Sequence, residues 1–339
     1  MAFANSRRLR VALATALAIF GCEAATAADA VRVGVFQSIS DAGIYIAQEK
    51  GYFAEQGLSV ELQQVSSAST VTTALASGDL DVSGGSPSAS IYNAIRQGVP
   101  IEIVADKGST LPGHGYLAFM VRKDLAGKIS KPEDLRGKTL AATGYLAGAA
   151  NEATVHHLLA PAGVKESELK IVSMAFPDIM TSLGTGNIDV GILIEPLVTL
   201  AVDKGVATVW KRTDEVYPSQ QYATLLYGPG MTKRNDVGVR FMTAYLKGVR
   251  FYNDALKGKI PRTELIEILV KNTTVKNAAL YDKMALPGLN PNGSLNVKGM
   301  EGDMQWFLQE GRMKAPIDIQ KVVNTKYIDA AIGKLGTYK

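Results

Sequence analysis

Leu75-Ala76-Ser77-Gly78-Asp79-Leu80-Asp81-Val82 has a counterpart further along the chain in Leu183-Gly184-Thr185-Gly186-Asn187-Ile188-Asp189-Val190. Each reads as a helix end, a glycine suited to leave the helix, and an aspartate leading into an apolar strand. The pattern around them doubles as well. Val31-Arg32-Val33-Gly34-Val35 alternates as a strand does and is followed by a helical stretch from Ala42 to Lys50. Thr139 to Ala160 repeats that strand and helix at nearly the same spacing. Leu58 to Val65 and Ile101 to Val104 read as further strands, with helices through Val71 and Leu75 and through Ile91 and Ile95 between them. A strand–helix order that occurs twice predicts an α/β fold of two lobes, each a mostly parallel sheet flanked by helices, rather than one extended sheet.

The 339 residues are enough for two such units. A first lobe is expected over residues 28–120 plus 225–339, and a second over 121–224, with the first crossing near Met120-Val121-Arg122. From about Met231 the chain reads as mostly helical. Phe241, Ala244, Tyr245, Gly248, Tyr252 and Leu256 hold one face at helical spacing.

The N-terminus has a different character. Arg7-Arg8-Leu9-Arg10, an apolar run from Val11 to Gly21, and the small residues Ala24-Ala25-Thr26-Ala27-Ala28 are laid out as a secretory signal peptide over residues 1–27. The apolar run is short of the roughly 20 residues a membrane-spanning helix needs. Cleavage is expected after Ala27, with Ala30 the alternative, and the protein is expected in the periplasm. Ile19-Phe20-Gly21-Cys22 loosely resembles a lipobox, so a lipoprotein anchored at Cys22 is the second form to consider; Phe20 is large for that pattern. Loss of Cys22 with the signal leaves a mature chain without cysteine, hence without a disulfide or thiol nucleophile. Beyond the signal, 33 Lys+Arg stand against 31 Asp+Glu, too small a surplus for a nucleic-acid footprint.

Gly43-Ile44-Tyr45-Ile46-Ala47-Gln48-Glu49-Lys50-Gly51-Tyr52-Phe53-Ala54-Glu55-Gln56-Gly57-Leu58 resembles the opening of the nitrate/sulfonate/taurine-binding family, which includes thiamine-pyrimidine-binding relatives. Ala74 to Ala89, Pro132 to Lys138 and Asp189 to Pro196 agree with it in order, so the likeness runs from about Val31 to Leu200. The resemblance implies a two-lobed periplasmic binding protein of type II-like topology. Such a protein serves as the substrate-binding component of an ABC importer and works as a monomer with a permease and its ATPase. It would close around a small solute in the interlobe cleft, of the sulfonate, taurine-like, pyrimidine or aromatic carboxylate class. The alternative is an enzyme of the thiamine-pyrimidine-synthesis type, which relies on a cysteine-rich motif this mature chain lacks.

In open α/β sheets ligands lie at the carboxyl ends of strands. The resemblance therefore points to Gln37, Ser38 and Ser40 after the first strand, to Ser86, Pro87 and Ser88, to Gly148 and Ala149, and to Glu195 and Tyr222. Ser86 and Ser88 either cap a helix or cradle the solute. Glu195 either lines the cleft or supports the hinge. These loops hold no lysine or arginine, so recognition is expected from neutral donors and backbone N–H groups, with Glu195 as the one charged discriminator. Adjacent His156 and His157 point to different helix faces, so no metal and no cofactor are assigned.

Overall fold

The computed structural model describes residues 28–65 and 68–339. The expected signal segment and Cys22 lie outside the described residues. Among the described residues, ten strands form two five-stranded sheets. The first contains β1 (Asp29–Val35), β2 (Leu58–Gln64), β3 (Val82–Gly85), β4 (Glu102–Ser109) and β10 (Gln221–Tyr227), in the order β2-β1-β3-β10-β4. The second contains β5 (Leu117–Arg122), β6 (Thr139–Ala142), β7 (Lys170–Ser173), β8 (Val190–Ile194) and β9 (Ala207–Arg212), in the order β7-β6-β8-β5-β9. The chain is a two-lobed α/β protein.

Each sheet is mixed rather than mostly parallel. β1, β2 and β3 run parallel, and β10 lies antiparallel between β3 and β4. β6, β7 and β8 run parallel, and β5 lies antiparallel between β8 and β9. The expected limits at 120/121 and 224/225 cut through β5 and β10, each of which belongs whole to one sheet. Pairing puts the crossings ahead of those limits, between Ser109 and Leu117 and between Arg212 and Gln221. No local signal marks these strands as inserted, because their neighbours are far away in sequence.

The doubling read from the sequence holds at the level of single hydrogen bonds. In the first lobe the Arg32 N–H donates to Asp81 Oδ2 at 2.9 Å, and the Asp81 N–H donates back to the Arg32 carbonyl at 2.9 Å. In the second, the Thr139 N–H donates to Asp189 Oδ2 at 2.9 Å and the Asp189 N–H to the Thr139 carbonyl at 3.0 Å. Each aspartate also meets an arginine, Arg234 beyond β10 at 3.2 Å and Arg122 at the end of β5 at 3.3 Å. The aspartate thus ties β1 to β3 in the first lobe and β6 to β8 in the second.

Packing follows the period of two along a strand. In β5, Leu117, Phe119 and Val121 enter the core on one face of the second sheet, while Ala118 and Met120 enter the core on the other. In the first lobe, Leu225 and Tyr227 of β10 face the long Asn235–Leu256 helix side, and Leu226 faces the side covered by the Val297–Gln309 helix. Two-sided burial explains why these strands read as nearly continuous apolar runs.

Candidate functional site at the lobe interface

The segments that follow β1, β3 and β6 meet along the line between the lobes, together with the start of β10. After β3, Ser88 caps the Ala89–Arg96 helix, its Oγ accepting from the Ile91 N–H at 3.4 Å. The next free donor of that helix, the Ala89 N–H, is taken from across the cleft by the Gly148 carbonyl at 2.9 Å. Gly148 has φ +65°, a conformation that favours glycine, and a Cβ there would collide with that of Ala89. The lobes therefore touch backbone to backbone at Gly148, which closes the cleft at that point.

Several side chains fasten this closure. Glu152, fully buried, accepts from Arg312 Nε at 2.7 Å and from the Gly148 N–H at 2.8 Å. Tyr222 Oη donates to Asn151 Oδ1 at 3.2 Å. His156 stacks on Trp306 with ring centroids 4.8 Å apart, and His157 stacks on Tyr217 at 3.7 Å. The two histidines do point apart, and each has an aromatic partner. Burial lowers the pKa of both, so they sit neutral in the stacks.

The expected site residues divide into two groups. Gln37 holds a left-handed backbone (φ +55°), and its carbonyl accepts from the Thr274 N–H. Ser38 and Ser40 share a hydrogen bond of 2.8 Å, and Pro87 and Ser88 are buried beside Ser86. Ala149 precedes the Ala150–Leu159 helix, and Tyr222 sets its ring edge-on to Tyr116 at 5.7 Å. Of the expected residues, Gly148 and Tyr222 bond across the interlobe line. Glu195 is turned to other work: Oε2 accepts from the Thr199 N–H at 3.0 Å and Oε1 from the Ala285 N–H at 3.3 Å, with Arg212 at 3.8 Å. Burial raises its pKa, and those bonds pull the other way. Glu195 joins the second lobe to the C-terminal part of the first.

Reading the loops as free of cations overlooked Lys107 and Arg312. In β4, Gly108 pairs with Ala223 and Asp106 with Thr224, so Lys107 is the extra residue of a bulge. Bulges re-aim side chains. Lys107 reaches across the sheet over Gly84, where a Cβ would come within 2.8 Å of Nζ. There it meets Asp41 Oδ1 at 2.6 Å and donates to Ser40 Oγ at 3.1 Å. Lysine and aspartate are both buried. The signal was present in Val104-Ala105-Asp106-Lys107-Gly108, a charged pair inside an apolar strand, which reading the strand as ending at Val104 hid.

A buried carboxyl at this interface gives a pH dependence. Burial pushes Asp303 up to about 7, against the hydrogen bond from Tyr217 Oη at 2.9 Å. The unfolded value is near 3.8, so the folded protein holds this proton more tightly. Its contribution to stability is complete below about pH 3.8 and is lost as pH rises through about 7. Asp106, pushed up to about 6 by burial, acts in the same direction. Urea unfolding at pH 5 and pH 8 is expected to show a smaller loss of stability in Asp303→Asn than in the wild type. Equal losses would mean that Asp303 does not titrate in this range.

Comparison with known proteins now places the chain. Residues 38–255 match the family model described as NMT1/THI5 like, which is more than half of the chain. The chain belongs to that family. It is 33% identical over 178 residues to the taurine-binding periplasmic protein of Escherichia coli K12, an alignment that covers 50% of each chain. The chain thus spans about half the length of the curated relative it matches. Its fold is shared with a ligand-binding component of an ABC-type import system from Staphylococcus aureus, at TM-score 0.72 and 14% identity over 89% of this chain and 99% of that one. It is also shared with the periplasmic aliphatic sulphonate binding protein SsuA of Escherichia coli, at TM-score 0.69 and 16% identity over 87% and 97%. This NMT1/THI5-like chain has the fold of periplasmic binding proteins. An apolar depression on the outer face of its second lobe, around Pro177, Met180 and Leu200, competes poorly as a site. Its two threonines, Thr181 and Thr185, are hydrogen-bonded back to their own helix.

Proposed function

We propose that the protein is the substrate-binding component of an ABC importer. It captures a small organic solute of the sulfonate, taurine-like, pyrimidine or aromatic carboxylate class between its lobes. The family match over residues 38–255, laid on two lobes whose strand-end loops converge on one line, carries this reading. Gln37, Ser38, Ser40, Ser86, Pro87, Ser88, Gly148, Ala149 and Tyr222 border that line and supply its polar groups, while Glu195 braces the hinge. Among the described residues no helix is long and apolar enough to cross a membrane. The mature chain begins near Ala28 after export to the periplasm, acts as a monomer, and hands its solute to a permease driven by its ATPase. Closure by hinge rotation about the two crossings would shut the solute away from water.

A thermal-shift screen of residues 28–339 against taurine, ethanesulfonate, nitrate, thymine and benzoate tests this. A ligand at a hundred times its dissociation constant adds about 2.7 kcal/mol, which corresponds to a rise of several degrees. A panel that leaves the melting temperature unchanged throughout would overturn the proposed solute classes.

A further inference from the structure

Buried polar atoms in folded proteins nearly always have a hydrogen-bond partner, and one that lacks it calls for an explanation. Two hydroxyls at the interlobe line have none among the described residues: Tyr116 Oη and Ser86 Oγ, both shut off from solvent. They flank the same patch of sheet. Gly108 pairs with Ala223 and Gly85 pairs with Thr224, so Ala223 and Thr224 form the floor between them. Tyr116 Oη, Ser40 Cβ and Ala223 Cβ all lie 3.2–3.6 Å from where a Cβ on Gly108 would stand. Ser86 follows Gly85 directly on the other side of that floor. Lys107, next to Gly108, donates to Ser40 and is ion-paired with Asp41, and it has no other polar partner among the described residues.

All three of these groups can donate. Burial lifts the ionisation of Tyr116 well above its ordinary value, so its hydroxyl keeps its proton. Lys107 is held in place by Asp41, which is itself fixed by the Phe36 and Ser38 N–H groups at 3.0 and 3.1 Å.

We infer that Tyr116 and Ser86 recognise the captured solute through their hydroxyls, with an unspent ammonium hydrogen of Lys107 as the charged donor of the set. The inference rests on the transport reading above and adds the atoms that decide which solute fits. The solute presents a compact group of acceptor oxygens to this corner of the first lobe, whether sulfonate, carboxylate or ring carbonyl. Tyr116, which leads into β5, would then read the solute from the second lobe's side of the crossing. The neighbouring Tyr222 already spends its hydroxyl on Asn151 and serves closure instead.

An unpartnered hydroxyl weakens the empty protein and strengthens the loaded one, so the test has two arms of opposite sign. Tyr116→Phe and Ser86→Ala are expected to melt, without ligand, at or above the wild-type temperature. In calorimetric titration with taurine, ethanesulfonate, benzoate and thymine, each variant is expected to bind the solute that the wild type prefers about 10- to 100-fold more weakly. Wild-type affinity in both variants would overturn the inference and leave the transport reading intact. A fall of several degrees in the unliganded melting temperature of both would do the same, because the hydroxyls would then be structural. A wild type that binds none of the four probes overturns the proposed solute classes and this inference together.

Discussion

A protein carrying Arg312→Met is expected to stand open in solution, with a larger radius of gyration by small-angle scattering than the unliganded wild type. Arg312 belongs to the C-terminal part of the first lobe, and its partner Glu152 lies in the first helix after β6, fully buried when the lobes meet. Removing one partner of a buried pair leaves an uncompensated charge, at a cost of about 3–5 kcal/mol. Opening hydrates Glu152 and relieves that cost, so the balance between closed and open forms should move by roughly two to four powers of ten. The sheets are untouched by this change, since each lobe keeps its own cores. Adding Glu152→Gln to the variant should return part of the closure. An unchanged scattering profile would show that the aromatic stacks and the Gly148 contact hold the lobes without the ion pair.

The second large effect is on the fold itself. Lys107 and Asp41 are both buried and both belong to the first lobe, so the pair stays together whether the lobes are apart or in contact. Lys107→Met strands the Asp41 charge and is expected to lower the unfolding free energy by about 3–5 kcal/mol. That is a large share of the roughly 5–15 kcal/mol of a typical protein. Urea denaturation reads it directly. The double variant Asp41→Asn, Lys107→Met should recover part of the loss, because neither partner then carries a charge. A single variant as stable as the wild type would mean that the pair contributes no net stability.

Much of this architecture could be read before the structure was known. The two glycine–aspartate segments marked equivalent places in two lobes, and the aspartates proved to make equivalent bonds to Arg32 and Thr139. Local patterns carry such information because helix ends and strand starts are fixed by neighbouring residues. The inserted strands were harder. Nothing within β10 states that it will separate β3 from β4, since both partners lie more than a hundred residues upstream. The site suffered in the same way. Lys107 joins Asp41, Arg312 joins Glu152, and Glu195 joins Ala285, all across long stretches of chain. A reading by strand-end loops names the serines, which sit in those loops, and passes over cations that reach in from elsewhere. It also took Glu195 as a possible discriminator, because sequence does not reveal which backbone N–H groups a carboxylate will face.

The position of β10 also fixes an order of assembly. The second lobe is one continuous stretch from β5 to β9, so it can collapse as soon as that stretch is available. The first lobe cannot. Until β10 arrives, β3 and β4 have no strand between them, and their facing edges stay unpaired while the whole second lobe is made. Pairing β10 with them closes a loop the size of a domain, a step whose entropy cost grows only slowly with length but which must precede any gain from the contacts. The first sheet therefore stays unfinished at its centre until the residues from Gln221 onward arrive to seal it.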